Sequence, residues 1–581
     1  MSRSQTRCPS TISPAGCGAI CRSIPLWLWI SRLLKKSRKL SGSRSLRCSA
    51  RSIAGIVFVL LQFGLSNPAC AENDEELPSS IINHLESAYL YDRITIRGIT
   101  LPDHPTLSAF YAQQRFKPLW VTTRGETKRA RRLRQEITEA EEHGLDPRRY
   151  PFLQIDEALG DGALADAELL LSQTFLWHSR DRAQGGIADP TRIDPDWYFR
   201  SDQPDGLSLL TDITRGRDVI RSLNALWPES SGYWRLIEAR TGLLAAPDTT
   251  PQIRIPGGKT LKPGTSDDRV PLLRRRLGLS DSGDLLYSQQ LAAAVSAFQT
   301  GAGLEPDGVL GPATLAALNR TREEKILQIE ANLERWRWLP REFPDRYIWV
   351  NAADYRLTAV RRKRVELSMR VIVGRPYRQT PVFTESMKYL VINPYWDVPR
   401  NLAIRDQLPL LRADARAMAA KGFEAARLDD GRMQSVDTIN WAQVSENAFP
   451  YRLRQKPGPA NPLGFIKFML PNEHAIYLHD TPARALFERT ERTFSSGCIR
   501  IDDAVALAEW VLAGNPDHWD RARIENAITS GETRTIVLEE PTPVYIVYFT
   551  AYTDDSGNLI LHRDIYDRDT RITAALRRPP D

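Results

Sequence analysis

Cys498 and His479 are the residues of this 581-residue chain whose types and spacing could break an acyl bond. There are six cysteines, Cys8, Cys17, Cys21, Cys48, Cys70 and Cys498, and the first five lie in an expected N-terminal leader. Cys498 is then the only thiol of the exported chain. A lone thiol forms no internal disulfide and makes a poor metal site. Its thiolate is a nucleophile, and an imidazole within reach can take the thiol proton and return it to a leaving amine. His479 lies 19 residues upstream, after the apolar run Ala475-Ile-Tyr-Leu478. Gly497, directly before the cysteine, lets backbone N–H groups face a developing oxyanion. Taken without their flanks, the two residues would read as a small buried apolar side chain and a satisfied core histidine.

The flanks narrow the choice. Fifteen residues after His479 comes Ser495-Ser496-Gly497-Cys498-Ile499-Arg500. This resembles the L,D-transpeptidase signature: His, about fifteen residues, Ser-x-Gly-Cys, an apolar residue, then Arg or Asn. Many members have His in place of Ser496 and Gly in place of Asp480. His479-Asp-Thr-Pro482 together with Ser495-Ser-Gly-Cys498 is similar to the large multidomain branch of Gram-negative bacteria.

The resemblance implies Cys498 as nucleophile and His479 as proton donor and acceptor. It implies oxyanion donors at Tyr477 and Gly497, and substrate contacts from Arg500, Ser496, Trp396 and Asn393. The implied substrates are peptidoglycan tetrapeptide stems, both as donor and as acceptor. Cys498 would expel the terminal D-Ala, and an amine of a second stem would resolve the thioester into a 3–3 cross-link. Arg500 suits a stem carboxylate because Arg binds carboxylates through two parallel bonds; a structural ion pair is its alternative. Trp396 suits an apolar wall, or plain packing. Other wall synthases or carboxypeptidases are further expected partners. No cofactor or metal is expected: His84, His104, His143, His178, His518 and His562 are scattered, and no ligand pattern surrounds His474.

Three rival readings remain. A carboxypeptidase or other hydrolase would use the same pair and let water resolve the acyl-enzyme. A non-catalytic wall-binding scaffold would have no need of Cys498. A papain-like protease is disfavoured, since its cysteine precedes its histidine by a long stretch.

The elements that must position this pair follow a leader. Residues 1–71 hold eleven Lys or Arg and no Asp or Glu, so the formal +7 belongs to them. The remainder has 67 basic against 71 acidic residues, which gives no support for nucleic-acid binding. Arg44, Arg47 and Arg51 precede the apolar run Ile53–Leu61, and Ala69-Cys-Ala71 offers a cleavage site. The run is short for a membrane span; an uncleaved anchor is the alternative. Asn67-Pro-Ala-Cys70 is a weak lipidation site, and residues 1–43 read as an over-long gene start. The expected location is the periplasm, with membrane contact only through an uncleaved leader.

The fold class expected is multidomain α+β. Residues 80–250 read as a helical scaffold, with Phe116-Lys-Pro-Leu-Trp120 as a loop into a short strand. Residues 264–320 read as a three-helix peptidoglycan-binding-like unit, with Leu291, Ala294, Val295 and Phe298 at helical spacing. Trp336 and Trp338 end a charged helix that packs against a neighbouring domain. Residues 345–570 read as a mainly-β catalytic domain, a small sandwich, interrupted at 400–456 by a helical lid. Asp502 or Asp503 caps a helix after Cys498, its N-terminus toward the thiol.

Overall fold

The computed structural model describes residues 76–91, 93–199, 201–245, 253–280 and 283–578, without the side chains of 88–91. The leader and its five cysteines lie outside the described residues.

The scaffold is built on the helix Leu164–Gln184, which is buried on nearly every face. In its second turn the buried Glu168 carboxylate accepts the N–H groups of Leu119, Trp120 and Val121 at 2.6, 2.8 and 3.0 Å, and the Tyr111 hydroxyl at 2.7 Å. A buried carboxylate is costly unless its lone pairs are used; here they hold the Pro-Leu-Trp segment that leads into the strand Val121–Thr122. The small unit has three helices, Val270–Arg276, Gln289–Gly301 and Pro312–Asn319, around a core of Leu273, Leu291 and Val295. Gln299 ties it together, donating to Asp307, the Val309 carbonyl and Thr314 and accepting from the Gly308 N–H.

The helix Arg322–Trp338 follows, opened by a Thr321/Glu324 capping box. Trp338 packs edge-on to Trp197 of the scaffold, 4.8 Å between centroids, and Trp336 lies against Trp349 and Phe549 of the β domain. Both tryptophans pack across domains, as the sequence suggests.

The β domain is one sheet of nine strands rather than a two-sheet sandwich. Its order is Thr493–Ser495, Arg364–Gly374, Ile499–Ile501, Leu478–His479, Ile466–Met469, Phe383–Ile392, Arg534–Val547, Arg346–Asn351, Arg356–Arg361. The last strand also pairs with Arg364–Gly374, so the sheet closes on itself around a core that includes Leu478, Ile499, Ile501 and Phe468. The insertion holds a sheet as well as the helix expected. Its helix Leu408–Ala420 packs with a four-stranded sheet ordered Met433–Ser435, Phe423–Arg427, Tyr451–Gln455, Trp396–Asp397, and the two share their own core. The strands escape sequence reading because they are short and charged: Tyr451-Arg-Leu-Arg-Gln455 buries only Leu453 and Gln455.

Candidate active site

Leu478 pairs with Ile499 in parallel register, and His479 with Arg500. Tyr477 is therefore set beside Cys498. Side chains alternate along a strand, so the buried Leu478, Ile499 and Ile501 turn to the core while Tyr477, His479, Cys498 and Arg500 share the opposite face. Lys467, opposite His479 on the third strand, joins them.

The His479 Nδ1 lies 2.6 Å from the Asp480 carbonyl oxygen. A carbonyl only accepts, so Nδ1 carries the proton and Nε2 is left with its lone pair. Burial, then the Arg500 and Lys467 charges, lower the imidazole to a pKa of about 3, with the Asp480 carbonyl opposing. Cys498 is half-buried, and its thiol donates to the Ala475 carbonyl at 3.7 Å. Burial pushes the thiol up; the Tyr477 N–H and hydroxyl, which bond to the sulfur, and the charges of Lys467 and Arg500 offset it. At rest the site thus holds a neutral thiol and a neutral imidazole.

Asp480 stands where a glycine is usual in the resembled signature, and the structure accounts for it. Its Oδ2 accepts the Phe465 N–H at 2.9 Å, and its Oδ1 lies 3.5 Å from Arg484. Gly464, at φ +61°, packs directly on that carboxylate.

These residues floor a cleft of about 590 Å³ whose other wall is the insertion, through Trp396, Pro399, Leu402, Leu410, Met418 and Phe423. Trp396 lines the cleft and bonds to the Tyr477 hydroxyl. Arg500 faces the cleft with its Nε buried and unbonded, and no carboxylate lies within ion-pair distance among the described residues. Arg375 lines the same cleft, and among the described residues its side chain bonds to the Tyr377 hydroxyl alone, at 3.1 Å. Ser496 is exposed on the rim and accepts from Arg378 at 2.9 Å.

Two expectations need correction. Asn393 does not line the cleft. It is buried at φ +48°, and its amide donates to the carbonyls of Ala527, Ile528 and Glu532 at 3.1, 3.0 and 3.2 Å, fastening a helix end. The Gly497 N–H is not free to serve an oxyanion: it donates to Ser495 Oγ at 3.1 Å. Gly497 instead lets the loop take φ +117°, leaving Tyr477 as the donor at the sulfur.

Sequence reasoning missed Lys467. Its signal was a lysine flanked by the buried Ile466 and Phe468 in a strand too apolar for a solvated face. The Nζ lies 4.1 Å from the Tyr477 ring centroid, and burial lowers its pKa. His474 packs against Tyr198 at a 37° tilt, 4.0 Å between ring centroids. Among the described residues no cluster of His, Cys, Asp or Glu is disposed to hold a metal ion.

A closed β-sheet thus carries a thiol and an oriented imidazole on one face, beside the insertion, and comparison with known proteins shows which domains these segments resemble. Residues 345–546 match the L,D-transpeptidase catalytic domain, residues 105–239 the scaffold domain, and residues 272–318 the family described as "Putative peptidoglycan binding domain". A curated Haemophilus influenzae protein named "Putative L,D-transpeptidase" is 36% identical over 259 residues, covering 44% of this chain. The match takes in 51% of that protein, so the chain spans about half the length of its curated relative.

Among solved structures, an L,D-transpeptidase fragment from Xylanimonas cellulosilytica is 16% identical, covering 50% of this chain and 98% of that one, at a TM-score of 0.16. A fused Zn-dependent amidase/peptidase/peptidoglycan-binding domain-containing protein from Clostridium acetobutylicum is 12% identical, covering 50% and 100%, at 0.15. Those scores are too low for a whole-chain likeness. Domains that act on peptidoglycan place the chain outside the cytoplasm. No helix among the described residues is long and apolar enough to cross a membrane.

Proposed function

We propose that this protein forms 3–3 cross-links between peptidoglycan stem peptides through a Cys498 thioester, working in the periplasm of a Gram-negative bacterium. The observation that carries the reading is the shared face of Cys498, His479 and Tyr477 beside the unpaired Arg500, on a floor that also carries Lys467. Attack on the carbonyl after the third stem residue passes the thiol proton to His479 Nε2 as the C–S bond forms. The C–N bond then breaks, and His479 returns the proton to the departing D-Ala amine. The side-chain amine of a second stem gives its proton to His479, attacks the thioester and restores the thiol. The Tyr477 N–H and hydroxyl are the donors for the oxyanion. Arg500, with Arg375 near it, takes a stem carboxylate.

The test is incubation of the protein with purified disaccharide-tetrapeptide, beside Cys498→Ala, read by intact mass. A cross-linked dimer that has lost D-Ala, absent in the variant, supports the reading. D-Ala release that yields only tripeptide makes the protein a carboxypeptidase. Equal behaviour of both proteins removes Cys498 from the chemistry and returns the wall-binding scaffold.

A further inference from the structure

Behind the nucleophile, three segments far apart in sequence meet. The loop is braced within itself: Ser495 Oγ accepts the Gly497 N–H and donates to the Cys498 carbonyl at 2.5 Å. A buried side chain from outside the loop also grips it. Thr380 Oγ1 donates to the Gly497 carbonyl at 2.8 Å and accepts the Gly374 N–H at 2.9 Å. Thr380 is wholly buried, so it cannot touch substrate.

Thr380 is itself held from behind. Its N–H donates to Tyr566 Oη at 3.3 Å, and that hydroxyl donates to the Gly374 carbonyl at 2.6 Å. Arg568 donates to Gln379 Oε1 at 2.9 Å and to the Thr380 carbonyl at 3.5 Å. The Arg568 guanidinium is completely buried, lying over the Tyr548 and Tyr566 rings at 4.8 and 4.9 Å. Its counter-charge comes from before the small three-helix unit: Asp194 Oδ2 lies 3.0 Å from Nε and Asp196 Oδ2 3.6 Å from Nη2. Backbone bonds join the same place, Tyr198 N–H to the Val382 carbonyl at 2.8 Å and Val382 N–H to the Asp196 carbonyl at 2.7 Å. A buried guanidinium needs these partners, so the segment, the C-terminal arginine and the turn bearing Thr380 set one another.

We infer that Thr380 is a positioning residue for the nucleophile loop, and that Arg568 makes its setting depend on the docked segment Asp194–Tyr198. The residues that aim Cys498 therefore extend past the matched catalytic domain at both ends. The inference rests on Cys498 being the nucleophile.

The experiment uses the full chain, with Thr380→Val, Thr380→Ser and Asp194→Asn. It measures kcat and KM on disaccharide-tetrapeptide, the alkylation rate of Cys498 by iodoacetamide, and the melting temperature. Valine keeps the shape and removes both hydroxyl bonds. Its kcat falls about 10- to 100-fold with KM unchanged, since displacement of a reacting group by about 1 Å costs that much. Serine restores kcat to within about threefold of the parent, by the same argument. Asp194→Asn moves kcat in the direction of valine at temperatures where it stays folded. A folded valine variant with parental kcat, or a serine variant as slow as valine, overturns the inference. Should valine fail to fold, parental kcat in a folded Asp194→Asn overturns the link to Arg568, and parental kcat in serine upholds the hydroxyl. If the unsubstituted protein and Cys498→Ala behave alike, it is the nucleophile assignment that falls.

Discussion

Arg378 grips Asp406 with two hydrogen bonds, of 2.7 and 3.0 Å, while its Nη1 also reaches Ser496 Oγ at 2.9 Å. Asp406 belongs to the insertion and Ser496 to the loop before Cys498, so one guanidinium spans the mouth of the cleft. The pair is partly exposed, and such pairs contribute about 0.2–1 kcal/mol to stability. Arg378→Gln should leave the melting temperature within about 2 °C and raise KM for the tetrapeptide about threefold to tenfold. Steady-state kinetics beside a thermal melt checks this; an unchanged KM would deny the latch a role.

Lys467 has no carboxylate within ion-pair distance among the described residues, and it lies over the ring of Tyr477, whose hydroxyl and backbone N–H meet the sulfur. Removing its charge should push the Cys498 thiol higher. Lys467→Met is expected to slow alkylation at pH 7 about tenfold and to shift the alkylation profile to higher pH. Lys467→Arg should recover part of the loss. A methionine variant with the parental profile would show that the lysine serves packing alone.

The pH dependence follows from His479. Its folded pKa of about 3 lies below the ordinary 6.5, so the base stays unprotonated as pH falls through 6. The rate of Cys498 acylation should hold down to about pH 4 and fail near 3. Arg500 is the second cause of the depression, after burial. Arg500→Gln should therefore move this acid limb upward, apart from any change in KM. A limb near 6.5 in the parent protein would mean a more exposed imidazole.

Gly464 should tolerate no side chain. A Cβ there would collide with the Asp480 carboxylate, and φ +61° is strained for alanine. Asp480 also supplies the carbonyl that fixes the His479 tautomer. Gly464→Ala should lower kcat about 10- to 100-fold by displacing that carbonyl, and crystallography of the variant would show the shift.

Asn393→Ala should do the reverse. Losing the amide removes a donor from three carbonyls, of which Ala527 keeps Ser530 Oγ and Ile528 keeps the Gly531 N–H, at a cost of about 1–2 kcal/mol. Chemical denaturation should show that loss, with kcat per folded molecule unchanged.

The sequence shows much of the site because the chemistry is local. His479, Tyr477 and Cys498 lie within 22 residues, and strand alternation fixes their common face. The central helix of the small unit, Gln289–Gly301, was legible from Leu291, Val295 and Phe298, since a short helix must bury one stripe. What stayed hidden depends on distant segments. Glu168, Thr380 and Arg568 look like ordinary surface chemistry until folding brings partners from 48, 117 and 374 positions away. Asn393 was misread because an asparagine beside a tryptophan in a cleft-bound segment has the same letters whether it faces substrate or a helix end.

The neutral resting dyad also governs how the sulfur ages. Peroxides oxidise thiolates far faster than thiols, and burial keeps the thiolate fraction of Cys498 small. A sulfenate, once formed, would find no second cysteine among the described residues to trap it as a disulfide, the step that would protect it from irreversible oxidation. On the proposed mechanism, oxidative damage would be slowed by delaying ionisation until a carbonyl is in place, and durability and catalysis would draw on the same withheld proton.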